Sequence, residues 1–91
     1  MLRRKVVAQL EYTEFGRRLA EIIEVSGYSL EGFAQAMKNA GYPSEIRGQD
    51  IQNIMRGARL PRYFGRYAFK VLGLSAEEQR ELMRLRFLEG R

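Results

Sequence analysis

The sequence predicts an all-α domain of five short helices. Five stretches place apolar residues three and four positions apart, the spacing that lines one face of a helix. Glycine, proline and polar residues separate these stretches and supply start and stop signals. Ninety-one residues are enough for one small core. We therefore expect a single domain over 1–91, with an N-terminal arm at 1–12, a core at 14–75 and a C-terminal helix at 76–91.

Two of the predicted helices lie in the N-terminal half. Thr13 is a candidate N-cap for a first helix over 14–25, which ends before Gly27. Ser29 is the candidate N-cap for a second helix over 30–38. Their apolar stripes are Phe15, Leu19, Ile22 and Ile23 in the first helix, and Leu30, Phe33, Ala34 and Met37 in the second.

The third predicted helix, over 47–56, has two chemically different faces. Gly57 suits a left-handed cap at its end. Ile51, Ile54 and Met55 fall on one stripe, so we expect them in the core. The opposite side carries one acid, Asp50, among forked or amide side chains, which are Arg47, Gln49, Gln52, Asn53 and Arg56.

The last two predicted helices follow a proline and a capping box. Pro61 suits the start of a fourth helix that ends at Gly73. Ser75 and Glu78 match the capping box that opens a fifth helix to about residue 88. The apolar stripes are Phe64, Tyr67, Ala68, Val71 and Leu72 in the fourth helix, and Leu82, Leu85 and Leu88 in the fifth.

The connector at 39–46 is long for a helix hairpin. It contains Gly41 and Pro43 and has no sustained apolar period, so it reads as a loop. Because Tyr42 and Ile46 are apolar anchors, we expect this loop to be ordered and held against the core.

The first dozen residues fit two patterns. Val6, Ala8 and Leu10 alternate with their neighbours as in a short strand. The helical alternative places Arg3, Val6, Val7 and Leu10 on one face. We favour an extended arm, which could form a short strand.

Positive charge is concentrated in one part of the chain. Residues 47–70 hold six basic side chains and one acidic one, whereas 19–46 hold one and four. A basic surface attracts polyanions over about a Debye length, ~8 Å at physiological salt. A solvated basic face with no partner is the alternative interpretation.

Composition argues against several classes of protein. The apolar runs are too short to cross a bilayer, and the N-terminus lacks the apolar run of a secretory signal. There is no cysteine for a disulfide, so we expect a cytoplasmic protein. The chain also has no histidine, and the capping box explains the acidic pair Glu77-Glu78. We therefore expect no enzyme activity, no metal site and no cofactor.

Four motifs occur in order among the predicted helices: Ser26-Gly27-Tyr28-Ser29, Phe33-Ala34, Ile51-Gln52-Asn53-Ile54-Met55-Arg56-Gly57 with Pro61 following, and Leu72-Gly73-Leu74-Ser75. Together they resemble the Cro and phage-repressor (XRE-like) family of helix-turn-helix DNA-binding domains. The resemblance covers about residues 15–75. It implies a five-helix repressor-like domain, a cytoplasmic phage or bacterial transcription regulator, and double-stranded DNA as the partner.

The sequence departs from this family at three places. The connector at 39–46 is longer than the family's short turn, and Leu30 stands where the family commonly has a glutamine that braces the DNA contact. Many members also pair a buried arginine on the first helix with a glutamate on the third. The aligned residues here are Ile23 and Met55, and replacing both partners by apolar side chains removes the desolvation cost together with the attraction.

The family mechanism implies roles for individual residues. The start of the third helix would enter the major groove, where amide and guanidinium groups pair with adenine and guanine edges. Gln49 and Gln52 are the candidates for base edges, with Arg47 and Asn53 at the rim. The candidates for phosphate contacts are Arg56, Arg59 and Arg62, together with the backbone amides after Ser29.

Family members bind DNA as dimers, so the resemblance also implies a homodimer. The fifth helix offers Met83 and Phe87 beside its leucine stripe, more apolar width than one core needs. This excess, with the N-terminal arm, is the predicted dimer contact.

Two alternatives stay open at this stage. The fold could serve as a protein-interaction module, such as an antitoxin or an adaptor, because a fold does not determine its function. Aromatic residues alternate with basic ones over 63–70, as in surfaces that stack single-stranded bases. Phe64 and Tyr67 fall at helical spacing, so we assign them to the core instead.

Overall fold

The computed structural model describes residues 11–89, and within them it contains five α-helices and no strand. This architecture confirms the predicted all-α fold. The helices are α1 (Glu14–Val25), α2 (Leu30–Asn39), α3 (Gly48–Met55), α4 (Phe64–Leu72) and α5 (Ala76–Glu89). The part of the arm at 1–10, for which a strand was considered, lies outside the described residues.

The helices begin and end close to the predicted positions because the capping residues act as expected. The side chains of Thr13 and Ser29 each accept a hydrogen bond from the backbone N–H three residues later, at 3.0 Å. The hydroxyl of Ser75 and the carboxylate of Glu78 complete the predicted capping box. Pro61 differs from the prediction, since it precedes α4 by a turn in which its carbonyl accepts the N–H of Phe64.

All five helices contribute to one core. Most residues of the predicted stripes of α1, α2 and α3 are buried, Ile23 and Met55 among them, whereas Ile22 and Leu30 are only partly buried. Ala34 is buried where α2 and α3 pack against each other, and its small side chain allows their close approach. The core residues of the three helices are Phe15, Leu19, Ile23, Phe33, Ala34, Met37, Ile51, Ile54 and Met55.

The first turn of α1 packs directly on the last turn of α3. The carbonyl oxygen of Met55 accepts hydrogen bonds from the backbone N–H of Thr13 at 3.0 Å and from its Oγ1 at 3.3 Å. A Cβ atom on Gly16 would lie 2.0 Å from the same oxygen, so only glycine fits there. This contact fixes the position of α3 against α1.

The connector between α2 and α3 is held against the core, as predicted. Tyr42 and Ile46 are both buried, and the ring of Tyr42 meets the rings of Tyr63 and Tyr67 edge-on, at centroid distances of 5.2 and 5.6 Å. Such edge-to-face aromatic pairs stabilise beyond the area they bury. Tyr63 and Tyr67 therefore pack on the connector. Phe64 is buried in the core as predicted, whereas Tyr67 is only partly buried.

Helix α5 closes the domain against α1. Leu82 is fully buried and Leu85 is partly buried, but Leu88 is 52% exposed and does not continue the predicted stripe. Two successive steps of three residues rotate about 120° around a helix, which turns Leu88 away from the core. At the end of α5 the carboxylate of Glu89 accepts the N–H of Phe15 at 2.6 Å, and the guanidinium of Arg86 donates to the carbonyl of Ala58.

None of the helices in residues 11–89 has the length and apolar character needed to cross a bilayer.

We expect Gly16→Ala to destabilise the protein by about 2 kcal/mol, because the added methyl group collides with the Met55 carbonyl. Alanine normally favours a helix over glycine by up to about 1 kcal/mol, so the sign is the opposite of the intrinsic preference. Urea unfolding measures the difference. Gly65→Ala in α4 is the matched control, since the nearest atoms there belong to the side chain of Phe69. Equal stability of the two variants would contradict the proposed contact.

Burial raises the pKa of Tyr42 above its ordinary value of 10.0, with the nearby Tyr63 and Asp50 adding to the effect. The folded state therefore keeps this phenol proton where the unfolded state begins to lose it. The resulting stability is complete below about pH 10 and is lost as the pH rises through the folded pKa. Tyr42→Phe should reduce the loss of stability between pH 7 and about pH 11, measured by urea unfolding at both values. An unchanged loss would show that Tyr42 does not contribute to it.

Candidate nucleic-acid interface

Helix α3 separates an apolar face from a polar one, as the sequence predicts. Ile51, Ile54 and Met55 are buried. The remaining side chains of the helix and its two flanking residues face outward: Arg47, Gln49, Asp50, Asn53 and Arg56 are exposed, and Gln52 is partly buried. The end of the helix is fixed by Gly57, which has a φ of 107°, and by the N–H of Ala58 donating to the carbonyl of Asn53 at 2.9 Å.

Gln49 and Asn53 form a pair of amides along the outward face of α3. The Nε2 of Gln49 donates to the Oδ1 of Asn53 at 3.0 Å, and both side chains are exposed. The pair keeps the Gln49 carbonyl oxygen as an acceptor and the Asn53 NH₂ as a donor. A donor and an acceptor side by side match the edge of an adenine in the major groove.

Gln52 is placed differently from the other two amides. Its Nε2 lies 3.5 Å from the hydroxyl of Tyr12, at the limit of a hydrogen bond, and its side chain is partly buried. Tyr12 therefore orients Gln52 from the segment before α1. Gln52 therefore does not belong to the amide pair that Gln49 and Asn53 form.

Arg47 is held at the start of α3 by two acidic residues. Its Nε lies 3.3 Å from the carboxylate of Glu31, which also accepts the N–H of Gly48 at 3.0 Å. Its backbone N–H donates to the carboxylate of Asp50 at 2.8 Å. Negative groups near a helix N-terminus are stabilising, because the free N–H groups there carry partial positive charge. These carboxylates thus occupy the donors that an anion at this helix end would use.

The predicted phosphate contacts fall into separate groups. Arg56 is paired with Glu11, with its Nε 3.1 Å from the carboxylate. Arg59 and Asn53 both line a shallow depression beside α3, which also includes residues of the connector. Arg62 instead lines a groove between α4 and α5.

Ser29 serves as the N-cap of α2, where its hydroxyl accepts the N–H of Gly32. The side chain is exposed, and α3 contacts α2 near this end through Glu31. The amides at the start of α2 therefore lie next to the start of α3.

Three residues of this surface have no role in the sequence prediction of DNA contacts: Glu11, Tyr12 and Glu31. Each of them joins α3 from a segment at least sixteen residues away in the sequence. The acidic character of 19–46 is visible in the sequence, but no local pattern places Glu31 against Gly48. Within residues 11–89, histidine, cysteine and carboxylate side chains form no group of three or more that could hold a metal ion.

Comparisons with known proteins do not identify a function for this surface. No protein-family model matches the chain, and neither a curated protein nor a solved structure shows significant similarity to it.

Proposed function

We propose that this protein is a non-enzymatic, sequence-specific regulator that binds double-stranded DNA and reads the major groove with α3. The observation that carries the proposal is the exposed amide pair of Gln49 and Asn53 on a short helix whose other face is buried. Rigid packing matters because base readout needs donors and acceptors held in fixed positions. Arg59 lies beside Asn53, where a cation would approach the adjacent phosphate backbone.

The acidic residues at the start of α3 affect how this helix could approach DNA. Glu31 and Asp50 repel phosphates, so the helix would enter the groove with its amides, and Arg47 would offset part of the negative charge. Carboxylates can also accept a hydrogen bond from the N4 amino group of cytosine. We infer that the preferred site combines an adenine opposite the amide pair with a neighbouring G·C pair.

The role as a repressor, the phage or bacterial setting and the cytoplasmic location belong to the same proposal. They follow from the resemblance to the Cro and phage-repressor family, whose members bind DNA in the bacterial cytoplasm. A single α3 would cover only a few base pairs, so we propose that two copies bind half-sites about one DNA turn apart, ~34 Å.

A protein-interaction module is the second candidate function. Two of the predicted DNA contacts, Arg47 and Arg56, are paired with carboxylates and are thereby less available to phosphates. The fifth helix also exposes apolar side chains, with Phe87 67% and Met83 41% exposed. An antitoxin or adaptor would use such surfaces for another protein.

We expect Gln49→Ala and Asn53→Ala to relax sequence preference, whereas Arg59→Ala should weaken binding to all duplexes alike. A good base contact contributes about 1 to 3 kcal/mol of discrimination, and one phosphate contact contributes about one unit of the salt slope. Selection from random duplexes measures preference, and a salt titration of the selected site measures the slope.

The chain offers close controls for these variants. Gln35 on α2 pairs with Asn39 at 3.1 Å in the same arrangement as Gln49 and Asn53, and Arg80 on α5 is exposed. Gln35→Ala and Arg80→Ala should leave preference and slope unchanged. If selection enriches no motif and binding is weak for every duplex even at low salt, the DNA-binding proposal fails and the interaction module becomes the better one.

We expect the active species to be a dimer whose contact includes Phe87 of α5. Sedimentation at micromolar concentration should show a dimer that Phe87→Asp dissociates, because a buried carboxylate at an apolar contact is costly. Deletion of residues 1–10 tests the predicted contribution of the arm. Val25→Asp is the matched control, since Val25 is 87% exposed on α1 and lies outside the predicted contact. A monomer both free and on DNA would overturn this arrangement.

A further inference from the structure

A second charged surface lies on the side of the domain formed by α4 and α5. It is a groove of about 470 Å³ between the two helices. No residue of α1, α2 or α3 lines it, so it is distinct from the outward face of α3. Its principal side chains are the cations Arg62, Arg66 and Lys70 and the apolar residues Leu60, Phe69 and Met83.

The three cations of this groove have no anionic partner among residues 11–89. No carboxylate in that part of the chain lies within 4.0 Å of Arg62, Arg66 or Lys70, and no acidic residue lines the groove. Of the basic side chains beside α3, Arg47 and Arg56 are paired with carboxylates, whereas Arg59 has no such partner among residues 11–89. The concentration of positive charge in 47–70 is therefore least neutralised here.

The cations follow one stripe of α4 and its preceding turn. Arg66 and Lys70 are four residues apart within α4, which brings their side chains to within about 6 Å on the helix surface, and Arg62 lies four residues earlier in the turn before the helix. A second helix with acidic side chains every fourth residue has the same spacing. The stripe therefore fits a helical ligand whose carboxylates repeat once per turn.

Apolar side chains form the floor between these cations and α5. The ring of Phe69 lies against Gly65, where a Cβ would be 3.0 Å from the ring, and Phe69 is partly buried. Met83 on α5, which is 41% exposed, and Leu60 also line the groove. Covering this floor with apolar groups of a ligand is favourable, because it removes apolar surface from water.

We propose that this groove binds an acidic amphipathic helix of a partner protein, with its carboxylates on Arg62, Arg66 and Lys70 and its apolar side chains on Phe69 and Met83. Helices commonly bind grooves through an apolar face while charges at the rim set the partner and its register. A DNA backbone would pair with the cations through its phosphates. It has no apolar groups that would cover the floor of the groove. The proposal does not depend on DNA binding by α3.

The probe for this test is a synthetic helical peptide of about 15 residues with glutamate at i, i+4 and i+8 and leucine at i+3 and i+7. Methyl-labelled methionine provides the readout in the full chain. The peptide should shift the signal of Met83 and leave those of Met37 and Met55 in place, because the last two side chains are fully buried. Peptides with all glutamates changed to glutamine, or all leucines to serine, should bind at least about tenfold more weakly.

Two protein variants locate the site. Arg66→Glu should weaken peptide binding by at least about tenfold, because like charges oppose each other across the contact. Arg84→Glu is the matched control, since Arg84 is exposed on α5 outside the groove lining, and its effect should stay below about twofold. The Met83 shift should also persist in Phe87→Asp, which separates this site from the proposed dimer contact.

Three outcomes would overturn the proposal. The first is no Met83 shift at millimolar peptide, or equal effects of Arg66→Glu and Arg84→Glu. The second is a Met83 shift with random-sequence duplex DNA but none with peptide, which would assign the groove to the phosphate backbone. The third is a Met83 signal that depends on protein concentration without peptide and becomes constant in Glu24→Arg, which would assign the groove to the exposed acidic end of α1 in a second copy.

Discussion

The carbonyl of Met55 is the point on which the position of α3 depends. It is the last carbonyl of that helix and accepts two hydrogen bonds from Thr13, which in turn caps α1. Gly16 allows the approach, and Glu89 of α5 supplies a further acceptor for the first turn of α1. Terminal backbone groups of α3 and α1 are thus satisfied at one place, with a side chain of α5 as one of the partners. Without this junction the buried stripe of α3 would still pack, but the direction of its amide face would not be fixed.

The other end of α3 shows competition between stability and anion binding. The carboxylate of Glu31 accepts the N–H of Gly48, a group that could otherwise bind a phosphate. Removing the acid would free this donor but would also leave the Gly48 N–H without its acceptor and the Arg47 guanidinium without its partner. The same side chain therefore supports the fold and limits where DNA could approach. This constraint moves the proposed contact along the helix, towards Gln49, Asn53 and Arg59.

The sequence predicted the helices and most of the core because both depend on local spacing and caps. Thr13, Ser29 and Ser75 act within three residues of their partners, so their roles were readable. Leu88 was misplaced because steps of three residues drift around a helix. The contacts of Glu31 with Gly48 and of Glu11 with Arg56 join residues 17 and 45 positions apart, and no pattern in a single sequence pairs them. The requirement for glycine at position 16 has no local signal either, because the Met55 carbonyl that it accommodates lies 39 residues away in the sequence.

The packing of Tyr42 between two other rings gives the protein a built-in optical signal. The chain has no tryptophan, and three of its five tyrosines meet in this cluster. Near-ultraviolet circular dichroism of the native state would therefore come largely from rings that join the connector to α4. Because those rings belong to segments about twenty residues apart, their coupling disappears when the connector detaches. The packing of the connector on α4 can thus be followed spectroscopically, without any label and independently of the helical signal at shorter wavelengths.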